Sequence, residues 1–386
     1  MIENLFIKIR ELVLNVIDII TPDFILSKDF IHGPVLSMII TFKTLAIVGA
    51  VVMMYLTLIE RKVVGRMQNR IGPNRVGKWG LLQPLADGVK MLTKEDIVPS
   101  IGDPILHFLA PILILIPSLL IMTVLPFGKN MIGMNLNVGV LYFIALSSTT
   151  TIAVFMAAWG SRNKYSLLGG MRSVAQVISY EVPMVLTIVP VLIAVGSLST
   201  LKIVEAQQSY WFILTPWGFT GFIIFFLCAT AECNRSPFDL AEAESEIIAG
   251  FHTEYSGMKF ALFYMAEFIN VFALCALTAT LFLGGWQGPL LPSWAWFFIK
   301  TYALIFIMIW FRGTLPRFRV DQLMGFAWKF ILPLSIVNII AAALSYYVPR
   351  FLSWIVPAFI LFVTIFIMHK LNRPFMPEKR QYHLAD

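Results

Sequence analysis

The chain has 386 residues, of which 58% are hydrophobic and 13% are charged, and its formal net charge is +7. A mean hydropathy of +0.80, with 32 Phe and 18 Met, exceeds what a water-facing surface can carry, which excludes a set of soluble domains. The three cysteines, Cys228, Cys233 and Cys275, match neither a disulfide framework nor the four-thiolate spacing of an iron–sulfur cluster, and we interpret them as small core residues. The lipid bilayer is therefore the expected solvent for most side chains.

The first 30 residues are apolar but are interrupted by charges. Glu3, Lys8, Arg10, Glu11 and Asp18 fall at helical spacing along this stretch. Because no basic segment precedes a clean apolar core, the stretch is not a signal peptide. Residues 1–30 are predicted to form an amphipathic helix that lies along the membrane surface.

Runs of about 20 apolar residues, long enough to cross a hydrocarbon core of roughly 30 Å, recur along the rest of the chain. They predict about nine spans, near residues 36–59, 105–126, 138–158, 174–198, 217–233, 260–283, 294–311, 330–348 and 352–369. Since a spanning segment must satisfy its own backbone groups, each is predicted to be a helix. The expected fold class is all-α, a polytopic transmembrane bundle that forms one integral membrane domain over residues 1–386, with the ninth spanning helix over 352–370.

Lysine and arginine are distributed unevenly between the loops. The first, third, fifth and seventh loops and the C-terminal tail contain 21 of them, whereas the other loops contain 3. Because basic residues favour loops on the cytoplasmic side, the first loop is predicted to lie inside. About nine crossings then place the N-terminus outside and the C-terminus inside.

The first inside loop, residues 60–104, is dense in cations. Six of its eight lysines and arginines lie just past the end of the first predicted span, at Arg61, Lys62, Arg66, Arg70, Arg75 and Lys78. They can simply enforce topology and contact anionic lipid headgroups. Glycine and proline turns follow, however, and Leu81, Leu85 and Val89 then form an apolar stripe of a predicted in-plane helix. An apolar opening lined by cations also suits an amphiphilic substrate or a docked soluble partner, and both interpretations stay open.

Lys43, Glu181 and Glu267 fall within predicted spans, and Glu232 lies at the inner end of one. Each would cost roughly 3 kcal/mol at a helix centre, so they are expected to face a protein interior or a water-filled cavity. A buried structural ion pair is one interpretation. Proton exchange by intramembrane carboxylates is the other.

An acidic inside loop over residues 232–259 contrasts with the basic loops on the same side. It holds six carboxylates, at Glu232, Asp239, Glu242, Glu244, Glu246 and Glu254. Carboxylates clustered in a partly dry loop cannot all ionise together, so some are expected to hold protons that they share.

Five segments together carry a resemblance to a known family. They are the loop from Glu60 to Asp96, ISYE at 178–181, AECNRSPFDLAEAESEIIAGFHTEY at 231–255, FYMAEF at 263–268 and PRFRVDQLM at 316–324. In this order they resemble the H subunit, also called the subunit 1 family, of the proton-pumping NADH:quinone oxidoreductase, respiratory complex I, over about residues 36–348. The predicted ninth span and N-terminal surface helix are similar to the bacterial type.

The resemblance implies a membrane-arm subunit that forms the entrance and much of the tunnel for a long-tailed quinone. Carried over residue by residue, it implies quinone-binding roles for Arg61, Arg70, Asp87, Arg235, Tyr264, Met265, Arg317 and Arg319. It also implies proton-coupling roles for Glu181, Glu232, Asp239, Glu242, Glu244, Glu246, Glu254 and Glu267.

The same resemblance implies that this chain contains no redox centre, binds no metal and has no catalytic residue of its own. The five histidines, His32, His107, His252, His369 and His383, do not form the paired set of a two-haem cytochrome. Quinone would be the substrate, with FMN and iron–sulfur clusters in partner subunits. The implied partners are peripheral-arm subunits at the quinone site, small adjacent membrane subunits and membrane lipid, with no nucleic acid, in the bacterial cytoplasmic membrane.

Two alternatives belong to other classes. The equivalent heel subunit of a membrane-bound hydrogenase, or of a related dehydrogenase that does not use NADH, would share these motifs. An independent secondary transporter would also use intramembrane carboxylates, but the predicted spans show no obvious internal repeat.

Overall fold

The computed structural model describes residues 34–240, 249–348 and 354–371. The helices of the first half are α1 (Pro34–Met67), α2 (Gln83–Thr93), α3 (Pro104–Ile121), α4 (Gly139–Gly160), α5 (Lys164–Val195) and α6 (Thr200–Ala206). Those of the second half are α7 (Pro216–Glu232), α8 (Gly257–Phe282), α9 (Ser293–Thr314), α10 (Val320–Phe326), α11 (Leu332–Tyr347) and α12 (Ile355–Leu371). A π-helix, Ala327–Ile331, joins α10 to α11. These ranges contain no β-strand, which confirms the all-α class.

Six stretches of the described chain are long and apolar enough to cross a membrane. They are Pro104–Val124, Gly139–Gly160, Lys164–Val195, Gly257–Phe282, Ser293–Thr314 and Val320–Tyr347. Two apolar helices, Pro216–Glu232 and Ile355–Ile367, are shorter. A polytopic α-helical membrane protein is therefore confirmed, while the count of about nine spans stays a prediction.

Helix starts follow local capping chemistry. Asp103 accepts hydrogen bonds from the backbone N–H groups of Ile105 and Leu106 at the start of α3, and Pro104 occupies the first helical position. Asn163 caps α5 by accepting from Tyr165 N–H. As a result α5 begins at Lys164, ten residues before the predicted span, because the apolar run used for prediction misses the polar first turns.

The bundle is organised around α8. From Val271 to Phe282 every side chain of this helix is buried, and it packs against α1, α3, α7 and α9.

Small residues allow α4 and α5 to approach closely. A Cβ atom at Gly170 of α5 would lie 2.3 Å from the Cβ of Ala158 in α4, so only glycine fits at this crossing.

Several predictions fall outside the described residues. They concern the surface helix over 1–30 with His32, the acidic residues Glu242, Glu244 and Glu246, and the C-terminal tail with His383. Lys43 and His369 lie in α1 and α12, but their side chains are not described.

Candidate functional site

Four charged side chains from distant parts of the chain meet at one end of the bundle. Arg235 Nη1 lies 2.9 Å from both carboxylate oxygens of Glu60, and Arg235 Nε lies 3.0 Å from Oε1 of Glu267. Arg312 also donates to Oε1 of Glu60. Glu60 and Arg235 are buried, whereas the Arg312 side chain is 41% exposed, so the two acids and two cations neutralise one another at a site that is only partly open to water. We call these four residues the ion-pair cluster.

A turn after α7 brings Arg235 into this cluster. Asn234 has a φ of 49°, in the left-handed region that asparagine tolerates, and it reverses the chain at the helix end. Arg235 N–H then donates to Thr230 O at 3.2 Å, and Phe238 N–H donates to Arg235 O at 2.8 Å. The guanidinium carbon lies 4.4 Å from the centre of the Phe268 ring, which adds a cation–π contact.

An apolar cavity adjoins the ion-pair cluster. Its walls include Leu56, Val271, Ile305, Met308 and Ile309, and its empty volume is about 340 Å³. Phe268 and three members of the cluster, namely Glu60, Arg235 and Arg312, complete the lining. An apolar wall that ends in fixed charges and hydrogen-bonding groups suits a ligand with an apolar body and a polar head.

A second cavity, here called the polar cavity, lies between α4, α5, α7 and α8. It has an empty volume of about 590 Å³ and is lined by both Glu232 and Glu267. Glu232 Oε2, Thr151 Oγ1 and Asn270 Oδ1 are buried there, and none has a hydrogen-bond partner within the described part of the chain. Buried polar atoms of this kind are normally satisfied by ordered water. The polar cavity is therefore suited to hold water between two carboxylates.

Two adjacent serines of α4 contact the remaining intramembrane acids. Ser148 donates a hydrogen bond to Oε1 of Glu181 on α5. Ser147 lies within hydrogen-bonding reach of Glu232, and Glu181 also lies close to Glu232. Glu232 therefore lies near Glu181 and also lines the polar cavity together with Glu267.

The acidic loop begins against the PRFR segment. Asp239 binds Arg317 at 3.0 Å, and Phe318 N–H donates to Pro237 O at 3.2 Å. The rings of Phe238 and Phe318 pack with centroids 5.8 Å apart. Arg319 lies apart, since its side chain is 78% exposed and it pairs with Asp321 at 3.1 Å. Glu254 also lies apart, where its carboxylate accepts a hydrogen bond from Asn163 at 2.7 Å.

Arg61 and Asp87, two of the predicted quinone-binding residues, form a separate group at α2. Arg61 Nη1 lies 2.6 Å from Oδ2 of Asp87, and Gln83 donates to Oδ1 of Asp87 at 3.2 Å. Burial of Asp87 opposes its ionisation, but the hydrogen bond and charge of Arg61, helped by Gln83 and Lys90, hold the pKa of Asp87 below its ordinary value.

The other predicted quinone contacts are dispersed. Arg70 is exposed, and its Nε donates to Gln68 Oε1 at 2.8 Å. Tyr264 packs between Phe260 and Phe268, with ring centroids 5.2 and 5.9 Å away. Met265 is partly buried against the core. Phe268 therefore links Tyr264 to the ion-pair cluster, whereas Arg70 lies outside that cluster.

Sequence reasoning missed three charged residues. Glu60 and Arg312 each directly follow a predicted span, at 36–59 and 294–311, and this shared position at span ends was the available signal. Lys300 lies within the predicted seventh span. Its Nζ donates to the carbonyl oxygens of Leu283, Gly285 and Gln287, at 2.6, 3.0 and 2.6 Å, where α8 ends.

No group of three or more His, Cys, Asp or Glu side chains that could hold a metal ion occurs within residues 34–240, 249–348 and 354–371. Cys228, Cys233 and Cys275 are all buried, as interpreted from the sequence. Cys275 Sγ lies 3.6 Å from Met308 Sδ, so this thiol contributes to the packed interior.

The fold and the paired intramembrane charges define a polytopic α-helical membrane protein with ionisable groups in its interior. A family model described as NADH dehydrogenase matches residues 39–343. The NADH-quinone oxidoreductase H subunit of Dehalococcoides mccartyi is 53% identical over 74% of this chain and 80% of the relative. The H subunits from Geobacillus kaustophilus and Syntrophobacter fumaroxidans are 50% and 52% identical, over 77% and 76% of this chain and 91% and 92% of those relatives. The chain belongs to the family of NADH-quinone oxidoreductase H subunits.

Proposed function

We propose that this chain forms the entrance and much of the tunnel through which a quinone reaches its reduction site, and that its carboxylates couple the reduction to proton translocation. The observation that carries the proposal is the ion-pair cluster of Glu60, Arg235, Glu267 and Arg312 beside an apolar cavity. A quinone has an apolar isoprenoid tail and a polar head with two carbonyl oxygens. The cavity walls suit the tail, and Arg235 and Arg312 offer hydrogen-bond donors of the kind that a quinone carbonyl accepts.

The proton-coupling part rests on the way Glu267 connects two sites. Its carboxylate pairs with Arg235 in the ion-pair cluster and also lines the polar cavity that holds Glu232. Any change in charge beside Arg235 alters the balance of charges at Glu267, and water in the polar cavity would pass this change to Glu232 and then Glu181. Reduction of a quinone to a quinol consumes protons, so it supplies such a change of charge.

The remaining acids extend the proposal toward the surface. Asp239 is held by Arg317 at the start of the acidic loop, and Glu242, Glu244 and Glu246 follow in sequence. Arg61 and Asp87 would line the entrance, beside α2 and its exposed apolar residues Leu85 and Val89.

The chain would act as a non-redox subunit. Electrons would reach the quinone from FMN and iron–sulfur clusters in partner subunits of the peripheral arm, and small membrane subunits would continue the series of acids. The relatives named above are all subunits of NADH-quinone oxidoreductase, which favours that complex over a hydrogenase. The proposed location is the bacterial cytoplasmic membrane, with loops 60–104 and 232–259 on the inner side.

The test is Arg235→Met in the assembled complex, with Arg162→Met as the control because Arg162 is exposed and is not among the residues expected to bind quinone. Arg235→Met should raise KM for decylubiquinone or abolish its reduction, while oxidation of NADH by ferricyanide persists. Arg162→Met should leave quinone reduction closer to the wild-type rate. Normal quinone kinetics in an assembled Arg235→Met complex would refute the quinone site.

A further inference from the structure

Gln176 is a buried amide on α5 that none of the predicted roles uses. Its side chain is 1% exposed, and its Nε2 donates to Ala231 O at 2.8 Å and to Phe238 O at 2.7 Å. One side chain therefore holds two backbone carbonyls that are seven positions apart in sequence. Removing a buried side chain that makes two such hydrogen bonds costs free energy. Gln176 is therefore expected to fix the position of the backbone segment that it binds.

The orientation of the amide follows from its partners. Both partners are backbone carbonyl oxygens, which can only accept hydrogen bonds. The NH₂ group of Gln176 must therefore face them. The opposite orientation would place Oε1 of Gln176 beside the two carbonyl oxygens, which would leave three acceptors in contact without a donor. Nε2 also lies 3.4 Å from Asn234 Oδ1, a third acceptor on the same side.

The two carbonyls enclose the segment that carries Arg235. Ala231 lies in the last turn of α7, Arg235 follows the reversal at Asn234, and Phe238 closes the turn by donating to Arg235 O. Asp239 is the next residue and pairs with Arg317. One side chain of α5 thus fastens both ends of the turn at residues 231–238.

We propose that Gln176 is a positioning residue, which holds the 231–238 turn on α5 so that Arg235 faces Glu60 and Glu267 while Asp239 faces Arg317. The inference rests on the proposed function, because the direction of Arg235 matters for quinone only if the ion-pair cluster adjoins the quinone. It extends that function by adding a residue that acts through Arg235 without contacting the apolar cavity.

The backbone keeps partial support when Gln176 is removed. Ala231 O also accepts from Asn234 N–H at 3.1 Å, and Phe238 O also accepts from Leu240 N–H at 3.0 Å. Neither carbonyl is left without a donor, so the helices are expected to pack as before. What is lost is the connection between the turn and α5, and the turn then samples positions in which Arg235 is misaligned.

The experiment uses the whole membrane complex with Gln176→Leu and Gln176→Met, two apolar replacements that remove the donors and differ in shape. Thr187→Val is the matched control. Thr187 is also buried on α5, and among the described residues its hydroxyl donates only to Met184 O in its own helix. The control therefore removes one buried hydrogen bond that does not involve the turn. NADH–ferricyanide activity reports assembly.

Three readouts are measured: KM and kcat for decylubiquinone, hydrogen exchange of residues 233–240, and the effect of Gln176→Leu in an Arg235→Met background. Loss of the two hydrogen bonds from Gln176 should raise KM about fivefold, with a smaller change in kcat. A fivefold change corresponds to the net free energy of about one hydrogen bond. Exchange in the turn should become faster than in the Thr187→Val complex. In the Arg235→Met background, Gln176→Leu should add no further increase in KM, since both changes act on the same contact.

Unchanged KM and unchanged exchange in assembled Gln176 variants would overturn the inference, and so would fully additive effects with Arg235→Met. Failure of both Gln176 variants to assemble while Thr187→Val assembles would also overturn it, because Gln176 would then be required for folding of the bundle. If Arg235→Met itself leaves KM unchanged, the proposed function fails. Faster exchange in the Gln176 variants would in that case still support the holding of the turn, and unchanged exchange would refute it.

Discussion

Arg235 binds both carboxylate oxygens of Glu60 at 2.9 Å, although the two residues are 175 positions apart in the sequence. Glu60 lies in α1 and Arg235 follows α7, so the contact ties the first described helix to the middle of the chain. Both side chains are largely withdrawn from solvent, and Arg312 from the end of α9 contacts the same carboxylate. The pairing makes Glu60 the acceptor on which two arginines depend.

Glu60→Gln should therefore disturb the complex more than loss of an exposed acid. Removing one partner of a buried ion pair costs about 3 to 5 kcal/mol, since it leaves an uncompensated charge. We expect a lower thermal midpoint of the purified complex and impaired quinone reduction. Asp321→Asn is the control, because Asp321 is 79% exposed in its pair with Arg319. Equal midpoints for both variants would contradict a structural role for the cluster.

The charge balance of the cluster can be tested separately. Glu60→Gln combined with Arg312→Gln removes one charge of each sign, so Arg235 remains paired with Glu267. We expect the double variant to recover part of the stability lost in Glu60→Gln, because fewer charges are left unpaired. The difference in thermal midpoint between single and double variants is the measurement, and a double variant less stable than Glu60→Gln would disprove it.

The acids of the loop and the spans should behave as a linked set if they share protons. Asp239→Asn, Glu242→Gln, Glu246→Gln and Glu267→Gln preserve size, so assembled complexes should show lower quinone reductase turnover, a shifted pH profile or uncoupled pumping. Acids that only dock a partner should each have a small effect, since exposed pairs contribute roughly 0 to 1 kcal/mol. Normal rates, pH dependence and proton-to-electron ratios in every assembled variant would exclude coupling through these residues.

Low pH should release the contact between Arg61 and Asp87. The pKa of Asp87 is held below its ordinary value of 3.8, so the pairing contributes stability above that pH and loses it as pH falls through the lower value. The Asp87 side chain is about a quarter exposed, so the expected effect is small. Peptic cleavage of loop 60–104 is compared between the wild type and Asp87→Asn, in which the ion pair is absent at every pH. The wild type should be protected relative to the variant at about pH 5 and should lose this protection as the pH falls below 3.8. Identical profiles would rule out this contact as the acid-sensitive element.

Lys300→Met should destabilise the opposite end of α8. Three backbone carbonyls lose their donor, and the contact of the ammonium with the Trp211 ring, 4.2 Å from its centroid, is also lost. We expect a loss of about 3 kcal/mol, measured as a lower thermal midpoint, because buried acceptors without a partner are costly. Lys202→Met, at an exposed position of α6, is the control. A midpoint equal to the control would show that water replaces the lysine.

The proposed topology can be tested by single-cysteine labelling with an impermeant reagent. In the loop after α6, Gln208 is exposed and suits a labelled cysteine. Its neighbour Gln207 does not, because it is buried and donates a hydrogen bond to Thr280 O at 2.8 Å. Cysteines at Gln208 and Asn137 should react from outside, whereas one at Val76 should react only after the membrane is opened. The reverse pattern would invert the orientation inferred from the basic residues.

Much of the fold could be predicted because it depends on local composition. Apolar runs indicated the helices at 105–126, 138–158 and 260–283, and α3, α4 and α8 occupy them. Their ends were less predictable. The continuation of α1 to Met67 and the early start of α5 lie in polar sequence, where capping by Asn163 and packing decide the boundary.

The candidate site was also predictable from the sequence only in part. Glu181, Glu232 and Glu267 were identifiable because a carboxylate in an apolar run is conspicuous, and so was the acidic loop. Glu60 was not singled out, because it lies among the cations of a loop whose charges have a sufficient explanation in topology. Gln176 carried no signal at all, since an uncharged polar residue inside a helix does not reveal its partners.

The sequence by itself determined that most of the chain lies in a lipid bilayer, approximately where its helices lie, and to which family it belongs. Hydrophobicity and motif order can be read from single segments, so no tertiary contact was needed for these conclusions. Only the tertiary structure decided which charges meet. Glu60 joins Arg235 and Arg312 across separations of 175 and 252 residues, and Asp239 joins Arg317 across 78 residues. The reason is physical: a buried charge must find a partner, and the available partner is fixed by how the helices pack and where small residues let them approach.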